Sequence, residues 1–265
     1  MSRLLGAVSR GFLVIVVLSA PAFLLPSVSQ AAQEISLVIG GLAALFTIFE
    51  YASSHPGLVD FRFAPPYNRS RFFALAAIVL LLTFYCRAIA GPAPETSPIL
   101  ELANRAAAVL DQPLSPVRMA VGFVGEGESP RFQEVIRQAT ALAHLVALIA
   151  VLMFGLTLWI FRWPTGRAKF NLWVNLPTFA PSTGRDVERR LKRDGLANIL
   201  VGLALPYVIV LLATRSGGWF DPRVLVNFQP LIWGVTFWAF IPAALVIRGA
   251  ALLKVGWLVQ KSRAV

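Results

Sequence analysis

The chain has 265 residues, of which 57% are hydrophobic, and a formal net charge of +11 at pH 7. Its mean hydropathy of +0.70 is high for a soluble domain, in which roughly half of the residues are apolar. The single cysteine, Cys86, excludes an internal disulfide framework and any metal site that needs several cysteines. A large basic excess is typical both of nucleic-acid binding and of polytopic membrane proteins, so the distribution of the charges must decide between these classes.

Six apolar blocks predict six membrane-spanning helices. Each block is about 18 to 25 residues long, enough to cross a hydrocarbon core of roughly 30 Å at 1.5 Å per residue. Most blocks lack the polar stripe of a helix on the surface of a soluble protein. The sequence therefore predicts an all-α integral membrane protein, a bundle of about six transmembrane helices in a single polytopic domain over residues 1–265. The predicted spans are residues 11–28, 33–50, 72–90, 139–161, 195–213 and 231–250.

The first apolar block, residues 11–28, admits two interpretations. Arg3 and Arg10 precede it, and the small residues Ser29 and Ala31 follow it, as they would before the cleavage site of a signal peptide. The block is long enough to span the membrane fully, which favours an uncleaved first helix. Cleavage would leave five helices without changing the orientation of the others.

The charges of the connecting loops predict the orientation of the bundle. With a cytoplasmic N-terminus, seventeen of the 24 basic residues fall on the cytoplasmic side, and eight of the thirteen acidic residues fall on the opposite side. This arrangement satisfies the positive-inside rule, which the reverse arrangement violates. We therefore expect both termini to be cytoplasmic, in a multi-pass protein of a bacterial inner membrane, and we expect no nucleic-acid binding because no recognisable nucleic-acid-binding fold accompanies the charges.

The predicted outer loop, residues 91–138, contains two helix signals. Apolar residues recur with helical spacing between its prolines, at Ile99, Leu102, Ala103, Ala106 and Leu110, which predicts an amphipathic helix. Further along, Ser129 followed by Pro130 resembles an N-cap with proline at the first helical position. The loop is therefore expected to form a small amphipathic cap on the membrane, with a helix from Pro130 leading into the fourth span.

The predicted inner loop, residues 162–194, combines an aromatic run with a basic segment that leads into the fifth span. Its cations are expected to rest on anionic headgroups or to dock an acidic cytoplasmic partner, and the aromatic side chains favour docking. Trp173 and Phe179 could equally lie in an aromatic belt at the membrane surface. The residues predicted to contact a partner or lipid are Phe170, Trp173, Phe179, Arg185, Arg189, Arg190, Lys192 and Arg193.

Few polar groups fall inside the predicted spans. His144 could ligate haem or a chlorophyll-type pigment, but the only other histidine, His55, is predicted at the opposite membrane face, so a hydrogen bond to a neighbouring helix is favoured. Glu50, Arg87 and Arg248 lie near span ends, where they are expected to act as interfacial anchors.

Two further segments concern the later helices. Gly202 and Pro206 make no convincing small-residue dimer motif. Residues 249–260 are expected to form an interfacial extension of the sixth helix.

The sequence gives no motif for catalysis or for a resident cofactor. It has no paired intramembrane aspartates and no H-E-x-x-H. We therefore predict a non-enzymatic accessory, assembly or scaffold subunit of a membrane complex, with no metal or cofactor and with lipids and other membrane subunits as partners. The alternatives are a small transporter or channel component, and a haem- or pigment-binding subunit that uses His144.

Overall fold

The computed structural model describes residues 2–26, 28–53, 59–62, 64–92, 97–125, 127–161, 163–164, 186–215 and 221–263. Within these ranges every regular element is helical. The α-helices are α1 (Ser2–Leu24), α2 (Gln30–Ala52), α3 (Tyr67–Ile89), α4 (Pro98–Leu110), α5 (Pro116–Val124), α6 (Pro130–Ile160), α7 (Asp186–Arg215) and α8 (Phe228–Arg263). A short 3₁₀ helix, Pro222–Val226, precedes α8.

Six of the described helices, α1, α2, α3, α6, α7 and α8, are long and apolar enough to cross a membrane. The prediction of an all-α, multi-pass membrane protein is thereby confirmed. All six of these helices begin before their predicted apolar blocks, α6 and α7 by nine residues each, whereas α1 ends at Leu24, four residues before the predicted end of its block at residue 28. Helical hydrogen bonding continues through the polar turns that flank an apolar block, so hydropathy underestimates the length of such helices.

The core of the bundle lies between α3, α6 and α8, which pack against one another. Helix α1 packs on α3, α2 packs on α1, and α7 packs along α8. Helices α4 and α5 lie against α6, and α5 also contacts α7. We call the two ends of the bundle the terminal end, where α1 begins and α8 ends, and the cap end, where α4 and α5 lie.

The helix signals of the predicted outer loop are confirmed. Helix α4 buries Ala103 and Ala106 as its amphipathic pattern predicts, but it also buries Ala107 and leaves Leu102, which was predicted on the same face, 41% exposed. At the start of α6 the Ser129 hydroxyl accepts a hydrogen bond from the Phe132 N–H at 3.3 Å, with proline at the first helical position. Helix α5 was not predicted, although Ser115 caps it in the same way.

The close contact of α7 with α8 depends on glycine. A Cβ atom at Gly249 would lie 2.5 Å from the Gly195 carbonyl oxygen, and one at Gly202 would lie 2.8 Å from the Pro242 carbonyl oxygen. Backbone atoms cannot move aside as a flexible side chain can, so only glycine permits this approach. The spacing of Gly202 and Pro206 did not predict that glycine brings two helices of the same chain close together.

Helix α8 continues without a break through the predicted interfacial extension, residues 249–260. Leu252, Val255 and Val259 are buried there, in one cluster with Val187 and Leu191 of α7. The segment is not a seventh span, as predicted, but it does not lie separately on a membrane surface either, because the start of α7 covers it.

Candidate functional site

The predicted docking residues divide between two parts of the chain. Those of the aromatic run and the first cation lie outside the described residues: Phe170, Trp173, Phe179 and Arg185. The other four lie in the first turns of α7: Arg189, Arg190, Lys192 and Arg193. The predicted combination of an aromatic strand with a basic helix therefore stays a prediction, whereas the helix itself can be described.

The first turns of α7 are held on α8 by one apolar face and carry ion pairs on the others. The Lys192 Nζ atom lies 2.6 Å from the Glu188 carboxylate and 3.0 Å from the side-chain oxygen of Gln260 on α8. Arg190 and Arg193 both approach Asp194, at 3.8 Å and 3.0 Å. Exposed pairs of this kind contribute about 1 kcal/mol or less to stability, so they position the cations more than they stabilise the fold.

Two of the cations share the outward face of α7 with apolar side chains. Arg189 and Arg193 are exposed, and Leu196 and Leu200 follow at spacings of three and four residues, also exposed. Residues at these spacings lie one above another on a helix. The outward apolar face therefore continues directly into the two arginines, which is the arrangement expected of a membrane helix whose cations reach lipid headgroups.

The terminal end contains an ion pair that joins distant parts of the chain. The Arg248 guanidinium on α8 lies 2.8 Å from the Asp60 carboxylate of the α2–α3 connection, and it also contacts the Asn198 side chain at 3.5 Å. Arg248 therefore does more than the predicted anchoring at the membrane interface, because it also joins α8 to the α2–α3 connection.

Glu50 also departs from its predicted role as an anchor. Its side chain is buried, and its carboxylate accepts a hydrogen bond from the Val59 N–H at 3.2 Å. The Arg62 guanidinium donates to the carbonyl oxygens of Glu50 and Ser53 and so holds the end of α2. Arg87, by contrast, is exposed near the cap end, where it points to the Leu24 carbonyl oxygen at 3.5 Å.

Four aromatic rings pack beside the ion pair of Asp60 and Arg248. Phe61, Tyr67, Phe154 and Trp163 are each at most 3% exposed, and their ring centroids lie 4.9 to 6.3 Å apart in the described contacts. The Trp163 indole N–H donates to the Ala64 carbonyl oxygen at 3.0 Å, which satisfies its one polar atom. This cluster fixes the α2–α3 connection on α6.

A second polar network lies at the cap end. The Gln138 side chain accepts a hydrogen bond from the Tyr85 hydroxyl at 2.8 Å and donates to Asn104 and Glu134, both at 2.6 Å. Arg137 in turn makes two contacts of 2.7 Å with the Glu134 carboxylate. The network joins α3, α4 and α6, and no sequence pattern predicted it, because the residues are far apart along the chain.

Between α7 and α8, towards the cap end, lies an apolar cavity of about 490 Å³, which we call the fissure. Helices α5 and α6 and the 3₁₀ helix also line it. Residues from all five elements line it, including Phe123, Thr140, Ile209, Leu225, Phe237 and Trp238. A volume of this size falls within the range of about 300 to 1,000 Å³ that is typical of small-molecule sites.

No protein-family model, no curated protein and no solved structure matches the chain.

His144 lies next to the base of the fissure. Its ring centroid is 5.8 Å from that of Trp238, with the planes tilted by 40°. Among the described residues no group of three or more histidine, cysteine, aspartate or glutamate side chains could hold a metal ion. His55 lies outside the described residues, so the haem or pigment alternative stays a prediction.

Hydroxyl groups in the spans bond mainly to their own helices. Thr47, Thr83, Thr140 and Thr214 each donate to the carbonyl oxygen four residues earlier, at 2.6 to 2.8 Å. A hydroxyl satisfied in this way offers little to a passing solute. In the described spans the acidic side chains stand near helix ends, at Glu34, Glu50, Glu134 and the first turns of α7.

Proposed function

We propose that the chain is a non-enzymatic scaffold or assembly subunit of a bacterial inner-membrane complex, and that α2 is its contact with a neighbouring membrane subunit. The observation that carries the proposal is the isolation of α2, which packs extensively only on α1. Its large apolar side chains are 44% to 71% exposed: Ile35, Leu37, Val38, Ile39, Leu42, Leu45, Phe46 and Phe49. A helix that adds so little to the bundle core is available to a partner.

Gly41 on α2 marks the point at which a helix of a neighbouring subunit could approach most closely. Gly40 faces α1, where a Cβ would lie 3.5 Å from the Ile15 Cα, but a Cβ on the adjacent Gly41 would meet no atom within 4 Å. Small residues let membrane helices approach closely, and dispersion contacts between backbones then replace contacts with lipid. Gly41 among large apolar neighbours is therefore a notch that fits a helix of another subunit.

Replacement of Gly41 with leucine tests the proposal. The larger side chain fills the notch, so affinity purification of Gly41→Leu after gentle detergent extraction should recover fewer co-purifying membrane proteins than the native chain. Gly155→Leu is the matched control, because Gly155 lies on an exposed face of α6 and also has no neighbouring atom within 4 Å. Equal recovery of every partner from both variants, at normal abundance, would refute the role of α2.

The alternative of a transporter or channel is less well supported by the polar groups. Transport of ions or protons usually needs acidic groups or a broken helix near the centre of the membrane. Most of the described threonine hydroxyls of the spans are instead bonded within their own helices, and the exception is Thr236 of α8, whose buried hydroxyl has no hydrogen-bond partner among the described residues. Uptake or conductance by the purified chain in vesicles, absent from empty vesicles, would favour the alternative over the scaffold.

We also propose that the terminal end is cytoplasmic and that Arg189 and Arg193 rest on anionic headgroups. The support is the excess of basic residues at this end and the continuity of the two arginines with the apolar face of α7. Reporter fusions after Arg10 and Arg263 should then report the cytoplasm, and fusions near Gln112 the opposite side. A cytoplasmic signal at Gln112 would contradict this topology.

A further inference from the structure

The fissure lies on the cap-end side of the close contacts between α7 and α8. Near the terminal end the glycine contacts hold their backbones together, at Gly249 with Gly195 and at Gly202 with Pro242. Beyond that point Trp238 crosses between the helices, and its indole N–H donates to the Pro206 carbonyl oxygen at 3.0 Å. Past the tryptophan the fissure lies between the two helices, where it is lined by Ile209, Val210, Leu212 and Ala213 of α7 and by Gly234, Val235 and Phe237 of α8.

The fissure opens sideways from the bundle. Three of its lining residues are also exposed on the outer surface: Leu212 by 65%, Phe237 by 51% and Ile241 by 42%. They belong to two helices that are able to cross a membrane, so the medium outside the opening is hydrocarbon rather than water. An apolar space of this kind does not hold water well, because water needs polar partners, whereas a hydrocarbon chain needs none.

Cations stand at the cap-end mouth of the fissure. Arg215 is exposed three residues after Leu212, so it lies on the same helix face about 4.5 Å further along the axis. Among the described residues it has no ion pair of 4 Å or less. Arg223, two residues before the lining residue Leu225, is held 2.8 Å from Glu128, and this carboxylate raises the pKa of the guanidinium. Arg215 is thus the cation still available to an anion.

We propose that the fissure binds an anionic phospholipid from the leaflet at the cap end, with one acyl chain between α7 and α8 and the phosphate at Arg215. The apolar lining of the fissure matches the acyl chain of such a lipid, and Arg215, which lies a few ångströms beyond Leu212 along α7, matches its phosphate. Neither a purely apolar molecule nor a soluble anion would use both features. The site is independent of the α2 face, so it can be present whether or not α2 binds a partner.

Photolabelling of the full chain in vesicles tests the site. The probe is phosphatidylglycerol with a diazirine in the middle of one acyl chain, added at low fraction to phosphatidylcholine vesicles. Labelled peptides should concentrate on residues 209–213 and 234–241, above the level on the exposed face around Leu200. The same diazirine chain on phosphatidylcholine should label the fissure less, by about fivefold, the factor that one cation contributes near an anionic lipid.

Two variants separate the chain from the headgroup. Ala213→Phe places a ring inside the fissure and should reduce labelling by both probes, while Ala204→Phe on the exposed face of α7 should not. Arg215→Gln, an exposed change that leaves packing intact, should remove only the preference for phosphatidylglycerol. Fissure labelling that equals the Leu200 face, or that survives Ala213→Phe in a folded protein, would overturn the site. Equal labelling by the two headgroups in the native chain would overturn its assignment to an anionic lipid.

Discussion

Two helical hairpins flank the core, α1–α2 on one side and α7–α8 on the other, and both use glycine where their helices meet. In α7–α8 the atoms nearest to Gly249 and Gly202 include backbone carbonyl oxygens, those of Gly195 and Pro242, beside the side chains of Ile199 and Val246. In α1–α2 a Cβ at Gly11 would chiefly meet the flexible end of the Ile48 side chain, at 2.7 Å, and one at Gly40 would make an ordinary contact.

The difference shows how one residue type can have two energetic roles. Backbone against backbone leaves no freedom to relax, so the register and separation of α7 and α8 are fixed at each glycine. Each hairpin has one more buried and one more exposed helix: 56% of the most apolar stretch of α8 and 39% of that of α1 are buried, against 17% for both α7 and α2. The α7–α8 hairpin therefore belongs to the bundle through the core helix α8, whereas α1–α2 is appended through α1.

The largest effect is expected at the tightest of these contacts. Gly249→Ala adds a methyl group 2.5 Å from the Gly195 carbonyl oxygen, which forces α7 and α8 apart. Overpacking of this kind typically costs about 1 to 3 kcal/mol, and we expect the upper half of that range because the opposing atoms are backbone. Unfolding in mixed micelles of increasing dodecyl sulfate content measures it. Gly155→Ala, with no neighbouring atom within 4 Å, is the control; equal stability of the two variants would contradict the argument.

The next effect concerns the ion pair of Asp60 and Arg248, which ties the α2–α3 connection to α8. Asp60→Asn and Arg248→Gln should each lower the free energy of unfolding by about 1 to 2 kcal/mol, because the pair is half-buried and its hydrogen bond is charged. A double-mutant cycle should return a coupling of about 1 kcal/mol. Additive single effects would mean that the two side chains act separately.

A smaller loss is expected from Trp238→Phe. Phenylalanine keeps most of the apolar area but removes the indole N–H that bonds to the Pro206 carbonyl oxygen at 3.0 Å, for a cost of about 1 kcal/mol. The same micelle titration measures this change. Trp257→Phe is a suitable control, since Trp257 is 47% exposed at the other end of α8. If Trp238→Phe lowers the free energy of unfolding no more than the control does, the hydrogen bond does not stabilise the contact of α7 with α8.

The smallest effect is expected in the appended hairpin. Gly40→Ala places a Cβ 3.5 Å from the Ile15 Cα, an ordinary van der Waals distance, and alanine is the better helix former. Stability should rise slightly, by less than about 0.5 kcal/mol. A loss of more than about 1 kcal/mol would show that α1–α2 packs as rigidly as α7–α8 and would end the contrast between them.

The spans could be predicted because hydropathy depends on composition within one segment. The same is true of the cap at Ser129 and of α4, whose signals lie within a few residues. The ion pair of Asp60 with Arg248 could not be predicted in this way. It joins residues 188 positions apart, and only the path of the α2–α3 connection brings them together.

The candidate sites were predicted less well than the fold. The four basic residues at the start of α7 lie on a helix as expected, and the aromatic run before them lies outside the described residues. The fissure left no pattern in the sequence, since its walls are apolar residues like those of every span. A retrospective signal does exist: Gly195 and Gly202, like Gly249 and Gly256, are seven residues apart, which puts each pair on one helix face.

The hydrogen bond between Tyr85 and Gln138 has a consequence for the order in which the chain assembles. The phenol of Tyr85 is fully buried, and its acceptor belongs to α6, which is synthesised later than α3. Until α6 arrives, α3 carries a polar group without that acceptor in apolar surroundings, which costs free energy. Association of α3 with α6 relieves this cost and seats Asn104 of α4 on Gln138 in the same step. Tyr85 thus lowers the stability of α3 in the membrane until α6 is present, and it favours α6 as the helix that packs next to α3.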